Sequence, residues 1–118
     1  MSSDDMAKQA SDRIEFLQGT LDMLILRTLR FGPAHGHQIA RHIQVTTEDV
    51  LQVEHGSLYP ALHRLERKGL IKAEWHVTEN NRKAKYYQLT GAGRKHLKDE
   101  AAAWRKLSTA VACVLDIA

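Results

Sequence analysis

From Ile14 onward, apolar side chains return every three or four residues, with Leu17, Leu21, Leu24, Ile25 and Leu29 on a single helical face. The periodicity stops near Phe31, because Gly32-Pro33 follows and a residue preceding proline is pushed out of the α region. Thr20 is a candidate local cap for this helix. Ala34 to Gly36 reads as a tight connection, and a shorter helix is predicted over about His37 to Gln44, burying Ile39, Ala40 and Ile43 and turning Arg41 and His42 outward. β-Branched residues then crowd Val45 to Val53, where the alternation Leu51-Gln52-Val53 predicts a brief edge strand.

The stretch GSLYPALHRLERKGLI, Gly56 to Ile71, describes a third helix with two distinct edges. Leu58, Leu62 and Leu65 stand at i, i+4 and i+7 on one face, while Tyr59, His63, Arg64, Arg67 and Lys68 occupy most of the remainder. Ser57 is the expected N-cap, Pro60 then falls in the first turn where a missing N–H removes no intrahelical bond, and Gly69 is the expected C′ residue. Beyond it the period changes to two. Ile71, Ala73, Trp75 and Val77 alternate with Lys72, Glu74 and His76, which predicts a half-buried antiparallel strand. Glu79 to Ala84 reads as a turn and Lys85 to Thr90 as a second strand, so the pair forms a hairpin with a basic tip. Thr90 is placed to cap a last helix of about 25 residues running to Ile117, roughly 37 Å long at 1.5 Å per residue. Along it, Leu97, Trp104 and Val111 interleave with Ala101, Ser108 and Leu115 at seven-residue spacing, an a/d-like seam suited to a second copy of itself.

The fold class expected from this order is α+β, mainly α: a winged helix-turn-helix with a long C-terminal dimerisation helix. Residues 1–12 are polar and without periodicity and read as a flexible tail, residues 13–90 as the winged-helix domain and residues 91–118 as the dimerisation helix. A length of 118 residues leaves room for one core and an appended helix. With 43% apolar and 26% charged residues, global disorder is excluded.

Charge sharpens this reading. The net charge is only +3, yet Arg64 to Lys98 holds ten Lys or Arg against three Glu, whereas Met1 to Asp22 holds two basic residues against five acidic ones. The basic half contains the third helix and the hairpin, which is the electrostatic footprint of a polyanion partner. A single cysteine, Cys113, excludes an internal disulfide framework, fits a reducing cytoplasm and is expected only to pack. No apolar run approaches the length of a membrane span, the N-terminus is too polar and acidic for a signal peptide, and the basic helix lacks the aromatic-rich opposite face of a membrane-surface binder, so a cytoplasmic location without membrane contact is expected. The seven histidines, with His35, His37 and His42 near one bend, show none of the recognised metal-ligand spacings, and no nucleophile motif or phosphate-cradling glycine loop is present. Neither a metal, a cofactor nor an enzymatic activity is expected.

A helix of this shape fits a major groove about 12 Å wide. The residues expected to contact double-stranded DNA from it are Ser57, Tyr59, His63, Arg64, Arg67 and Lys68, with Arg64 assigned to a guanine edge and Tyr59 to a phosphate. From the hairpin, Asn80, Asn81, Arg82, Lys83 and Lys85 are expected to supply phosphate or minor-groove contacts. The bland alternatives are an amphipathic core helix with a solvated basic face, and a solubilising turn. The rival function is a winged-helix module that docks protein without touching DNA. Trp104 reads first as dimer core, and second as half of an indole pair enclosing a flat hydrophobic effector.

The segments LQGTLDMLIL (Leu17 to Leu26), GPAHGHQIA (Gly32 to Ala40), GSLYPALHRLERKGLI and KYYQLT with the following Gly91 together resemble the PadR family of bacterial transcriptional regulators. The single C-terminal helix resembles the family's smaller branch, in which that helix dimerises. The resemblance implies a winged helix, repression of a nearby promoter and, as in some members, loss of DNA affinity on binding phenolic acids or drugs. It implies a recognition helix at Ser57 to Lys68 and a wing at Asn80 to Lys85. Trp104 resembles the aromatic lining the central pocket of the multidrug-sensing members. His37 departs from the pattern, since members often carry Tyr there.

Overall fold

A computed structural model of the chain describes residues 18–117. The expected tail and the positions Ile14 and Leu17 lie outside the described residues. Four helices and three strands follow in the order α1 (Gln18–Leu29), β1 (Ala34–His35), α2 (Gly36–Thr46), α3 (His55–Arg67), β2 (Ile71–Val77), β3 (Lys83–Leu89) and α4 (Gly91–Val114). The strands form one antiparallel sheet in the order β1-β3-β2.

Helix α1 is the central strut, burying Leu21, Met23, Ile25, Leu26 and Leu29. Thr20 lies inside it and does not cap it. Its last turn tightens through bonds from Arg30, Phe31 and Gly32 N–H to carbonyls three residues back, and Gly32, at φ +142°, turns the chain into Pro33. The segment expected to be a plain connection then supplies a strand. Ala34 and His35 pair with Tyr87 and Tyr86 of β3, taking the sheet edge.

The strand expected at Leu51–Val53 is absent. The chain leaves α2 through Glu48 and Asp49, both in left-handed conformations at φ +52° and +65°, which break the extended run a strand needs. The Thr47 hydroxyl accepts from Leu51 N–H at 3.1 Å and holds the reversal. The alternation there has another cause, since Leu51 and Val53 pack partly buried against the core. Helix α2 accordingly starts one residue earlier and ends two residues later than expected.

Helix α3 begins at His55 with Glu54 as N-cap, so Ser57 is not the cap and its own N–H bonds to the Glu54 carbonyl. Pro60 consequently lies inside the helix, where its missing N–H does cost a bond that the Gly56 carbonyl would have accepted. Gly56 is solvent-exposed, which moderates that loss. The other end is as expected. Gly69 sits at φ +73°, its N–H bonds to Glu66 O, and Leu70 N–H reaches Leu65 O, the paired bonds of a Schellman stop.

Leu58, Ala61, Leu62 and Leu65 of α3 meet Ile39 and Ile43 of α2, the α1 side chains, and Ile71, Tyr87 and Leu89 of the sheet in one core. Each fully buried Leu or Ile contributes about 1.5–3 kcal/mol over an exposed one. The buried face of β2 is shorter than its alternation. Ile71 is buried and Ala73 half-buried, but Trp75 and Val77 are 66% and 64% exposed, because the hairpin runs past the core edge.

Helix α4 starts where the sequence places it. The Thr90 hydroxyl accepts from Gly93 N–H at 3.0 Å and donates to Gly69 O at 2.7 Å. A Cβ at Gly93 would stand 2.0 Å from the Leu70 carbonyl oxygen, so only glycine lets the helix seat on that backbone. Leu97 is buried and Ala101 packs on the same core, so these two expected seam positions are spent within the chain. The helix ends at Val114, with Leu115 as C-cap.

Candidate nucleic-acid interface

The face of α3 opposite its four buried residues presents Tyr59, His63 and Arg67 at four-residue intervals, with Ser57 and the C-cap Lys68 also exposed. Tyr59 is 46% exposed, and its ring rests on Gly36, where an added Cβ would come within 3.0–3.2 Å of it, while His55 meets it edge-on at 5.6 Å. Between this stripe and β3 lies an open cleft of about 620 Å³, with Tyr59, His63 and Arg67 on the helix wall and Lys85 and Tyr87 on the strand wall.

Two cations expected to reach outward are engaged within the protein. Arg64 Nη2 donates to Asp22 Oδ1 on α1 at 2.9 Å, and both side chains are largely covered. Its Nε is buried without a hydrogen-bond partner among the described residues. Arg64 lines the cleft, but the guanidinium assigned to a guanine edge is tied to a carboxylate that the sequence reading left unpaired. The only signal for this tie was Asp22, an acid set between the core positions Leu21 and Met23 of α1. Lys85 Nζ bonds Glu66 Oε1 at 3.2 Å and lies 5.5 Å from the Tyr87 ring centre, so it braces the hairpin against α3 and is not part of the tip. Burial raises the Tyr87 hydroxyl above its ordinary value; Lys85 opposes this, and Glu66 and Tyr59 add to it. The phenol therefore stays protonated and able to donate.

The hairpin tip is built by Thr78, whose N–H donates to Arg82 O at 2.7 Å and whose carbonyl accepts from Asn81 N–H, with Asn81 left-handed at φ +57°. Asn80, Asn81, Arg82 and Lys83 are all exposed there. On the opposite sheet face, Tyr86 is met edge-on by His35 and by His76, each at 5.4 Å. His35 is the N-cap of α2: Nδ1 accepts from Gln38 N–H at 3.3 Å and Gln38 Oε1 accepts from His35 N–H at 3.0 Å. His42 lies against Phe31 at 5.6 Å. Among the described residues, no group of three His, Cys, Asp or Glu is arranged to hold a metal ion, and no helix is long and apolar enough to cross a membrane.

Past Ala101, α4 has little to pack on among the described residues. Trp104, Leu107, Val111 and Val114 are exposed, as is Leu115 beyond the helix end, while the Ser108 hydroxyl bonds back to Arg105 O. Cys113, expected to pack, is exposed.

Three helices, a hairpin whose outer strand edge is closed by a short strand, and a trailing helix make a winged helix-turn-helix of the transcription-regulator type. Residues 25–99 match the transcriptional regulator PadR-like family, and the chain belongs to it. The family is one of transcriptional regulators, not enzymes. The chain is 31% identical over 97 residues to the transcriptional regulator Rv3488 of Mycobacterium tuberculosis, covering 82% of this chain and 87% of that one. Among solved structures, a PadR family transcriptional regulator from Eggerthella lenta is 30% identical with a TM-score of 0.73, covering 98% of this chain and 96% of its own. A PadR family regulator from Clostridium difficile is also 30% identical, with a TM-score of 0.70 over 80% of this chain and 97% of its own.

Proposed function

We propose that the chain is a homodimeric repressor that binds double-stranded DNA, laying α3 in the major groove and the hairpin tip along the flanking backbone. The observation that carries this is the division of α3: four apolar residues locked in the core, and Tyr59, His63 and Arg67 in a solvent-facing stripe beside a cation-bearing cleft. Arg67 takes the base-reading role first assigned to Arg64, since its guanidinium is exposed and bidentate contact with guanine needs an uncommitted fork. Tyr59 and His63 hold phosphates, and Asn80, Asn81, Arg82 and Lys83 extend the backbone contact. The exposed apolar run of α4 supports pairing with a second copy, which would present two reading helices to half-sites about 34 Å apart. Trp104, in that run, is the candidate wall of an effector pocket for a small aromatic or hydrophobic molecule.

Fluorescence anisotropy of the duplex upstream of the protein's own gene, at two salt concentrations, tests the reading. Tight binding at low salt that falls steeply with added salt is expected, because each phosphate neutralised releases counterions. No binding at low salt turns the assignment to a protein-docking module.

A further inference from the structure

The apolar alternation of β2 outruns the core it serves. Ile71 and Ala73 are covered, but Trp75 and Val77 continue the same face into solvent at 66% and 64% exposure. Cross-strand pairs share a face, and the register sets Trp75 opposite Lys85 and Val77 opposite Lys83. Lys85 reaches Glu66 on α3, so this is the face turned towards the reading helix. Strand β1 pairs only with Tyr86 and Tyr87, so the outer hairpin is two-stranded and nothing among the described residues covers its indole.

We propose that Trp75, with Val77, is a specific non-ionic contact to duplex DNA, packing on the deoxyribose edges of the strand that passes between α3 and the hairpin. The inference rests on the DNA-binding reading above. The choice of occupant follows from the surroundings. Lys83 stands across from Val77, Arg82 follows at the tip, and the cleft wall carries His63 and Arg67. An indole set between a cation-bearing hairpin tip and a cleft wall that carries Arg67 suits a partner that alternates anionic phosphates with apolar sugar faces. An apolar protein surface would have to desolvate those cations without pairing them. The tip Lys and Arg supply charge, and Trp75 supplies contact area that salt does not screen.

The test uses the full chain carrying Trp104→Phe, which leaves Trp75 as the sole tryptophan; because Trp104 lies in the run assigned to pairing, this background is used at a concentration where it sediments as the parent does. Adding a cognate or random duplex should shift its emission and protect it from acrylamide, whereas heparin, a polyanion without a base-paired groove, should bind with neither effect. In the natural sequence, Trp75→Ala should weaken duplex binding roughly ten-fold, with Trp75→Phe restoring most of it. The slope of log affinity against log salt should stay unchanged, because no phosphate partner is lost; Lys83→Ala should instead lower the slope by about one. The exposed position leaves the folded state intact in both variants, which circular dichroism checks. Duplex binding with no change in Trp75 emission and no loss in Trp75→Ala overturns the inference while leaving the DNA reading standing. A changed sedimentation coefficient in Trp75→Ala at unaltered DNA affinity overturns it in favour of a protein contact. Absence of duplex binding at low salt removes both.

Discussion

Arg64 illustrates how a residue of the right type at the right helical position can belong to the fold. Its pairing with Asp22 ties α3 to α1 at 2.9 Å with both groups largely out of water. Removing one partner leaves the other charge stranded, so Arg64→Ala should lower stability by roughly 2–4 kcal/mol, read as a shift in the urea midpoint. Asp22→Leu combined with Arg64→Met should recover most of that loss, because two apolar groups strand no charge. A single mutant as stable as the parent would show that the pair contributes nothing. Specificity at low salt, measured on folded Arg64→Ala, should change less than on Arg67→Ala. Gly93 makes a comparable point in the backbone: its missing side chain is what seats α4 on Leu70.

The start of α2 shows an element depending on a proton. His35 caps the helix through the Nδ1 lone pair, and burial, then the neighbouring His37, lowers its pKa below the ordinary 6.5. Above 6.5 the ring is neutral in folded and unfolded chains alike, and the cap's contribution is complete. As pH falls through that value, unfolded chains take up the proton first, and stability drains until the lowered native value is passed. Urea midpoints should therefore fall on acidification, with loss of protection at the Gln38 amide, and His35→Asn should keep an acceptor while flattening that pH dependence. An equal acid response in the variant would show that the loss does not arise at this cap. The same elements mark what was legible in the sequence. The core face of α3, its glycine stop and the Thr90 cap were readable because each rests on local spacing. The start of α3, the edge strand and the tie on Arg64 were not. Leu51 and Val53 alternate because they touch the core, which looks like a strand until the left-handed Glu48 and Asp49 are known. The partner that makes Ala34–His35 a strand lies about fifty residues away in β3, where no local pattern reaches.

The whole molecule is elongated, 48 × 38 × 24 Å, with the outer part of α4 exposing apolar groups that are not covered among the described residues. Ending the chain after Ala103 removes Trp104, Leu107, Val111 and Val114 but keeps Leu97 and Ala101 on the core. The shortened protein should retain its circular dichroism per residue in the wing and core, sediment as a monomer, and lose at least about 100-fold in apparent affinity for a two-half-site duplex, since the second contact is no longer tethered. A dimer of undiminished strength would reject the pairing assigned to α4. The way that helix is seated carries a mechanical corollary. Its first turn presses on the Leu70 carbonyl, Thr90 N–H bonds to the same carbonyl at 3.2 Å, and Leu70 N–H closes the end of α3 on Leu65. The rod and α3 thus share a fulcrum. About 27 Å of lever separates Gly93 from Val111, so a sideways push of about 3 Å at the far end is a pivot of roughly 6° at Leu70. On the proposed dimer and DNA contact, whatever wedges the paired rods apart would be felt as a tilt of the probe in its groove.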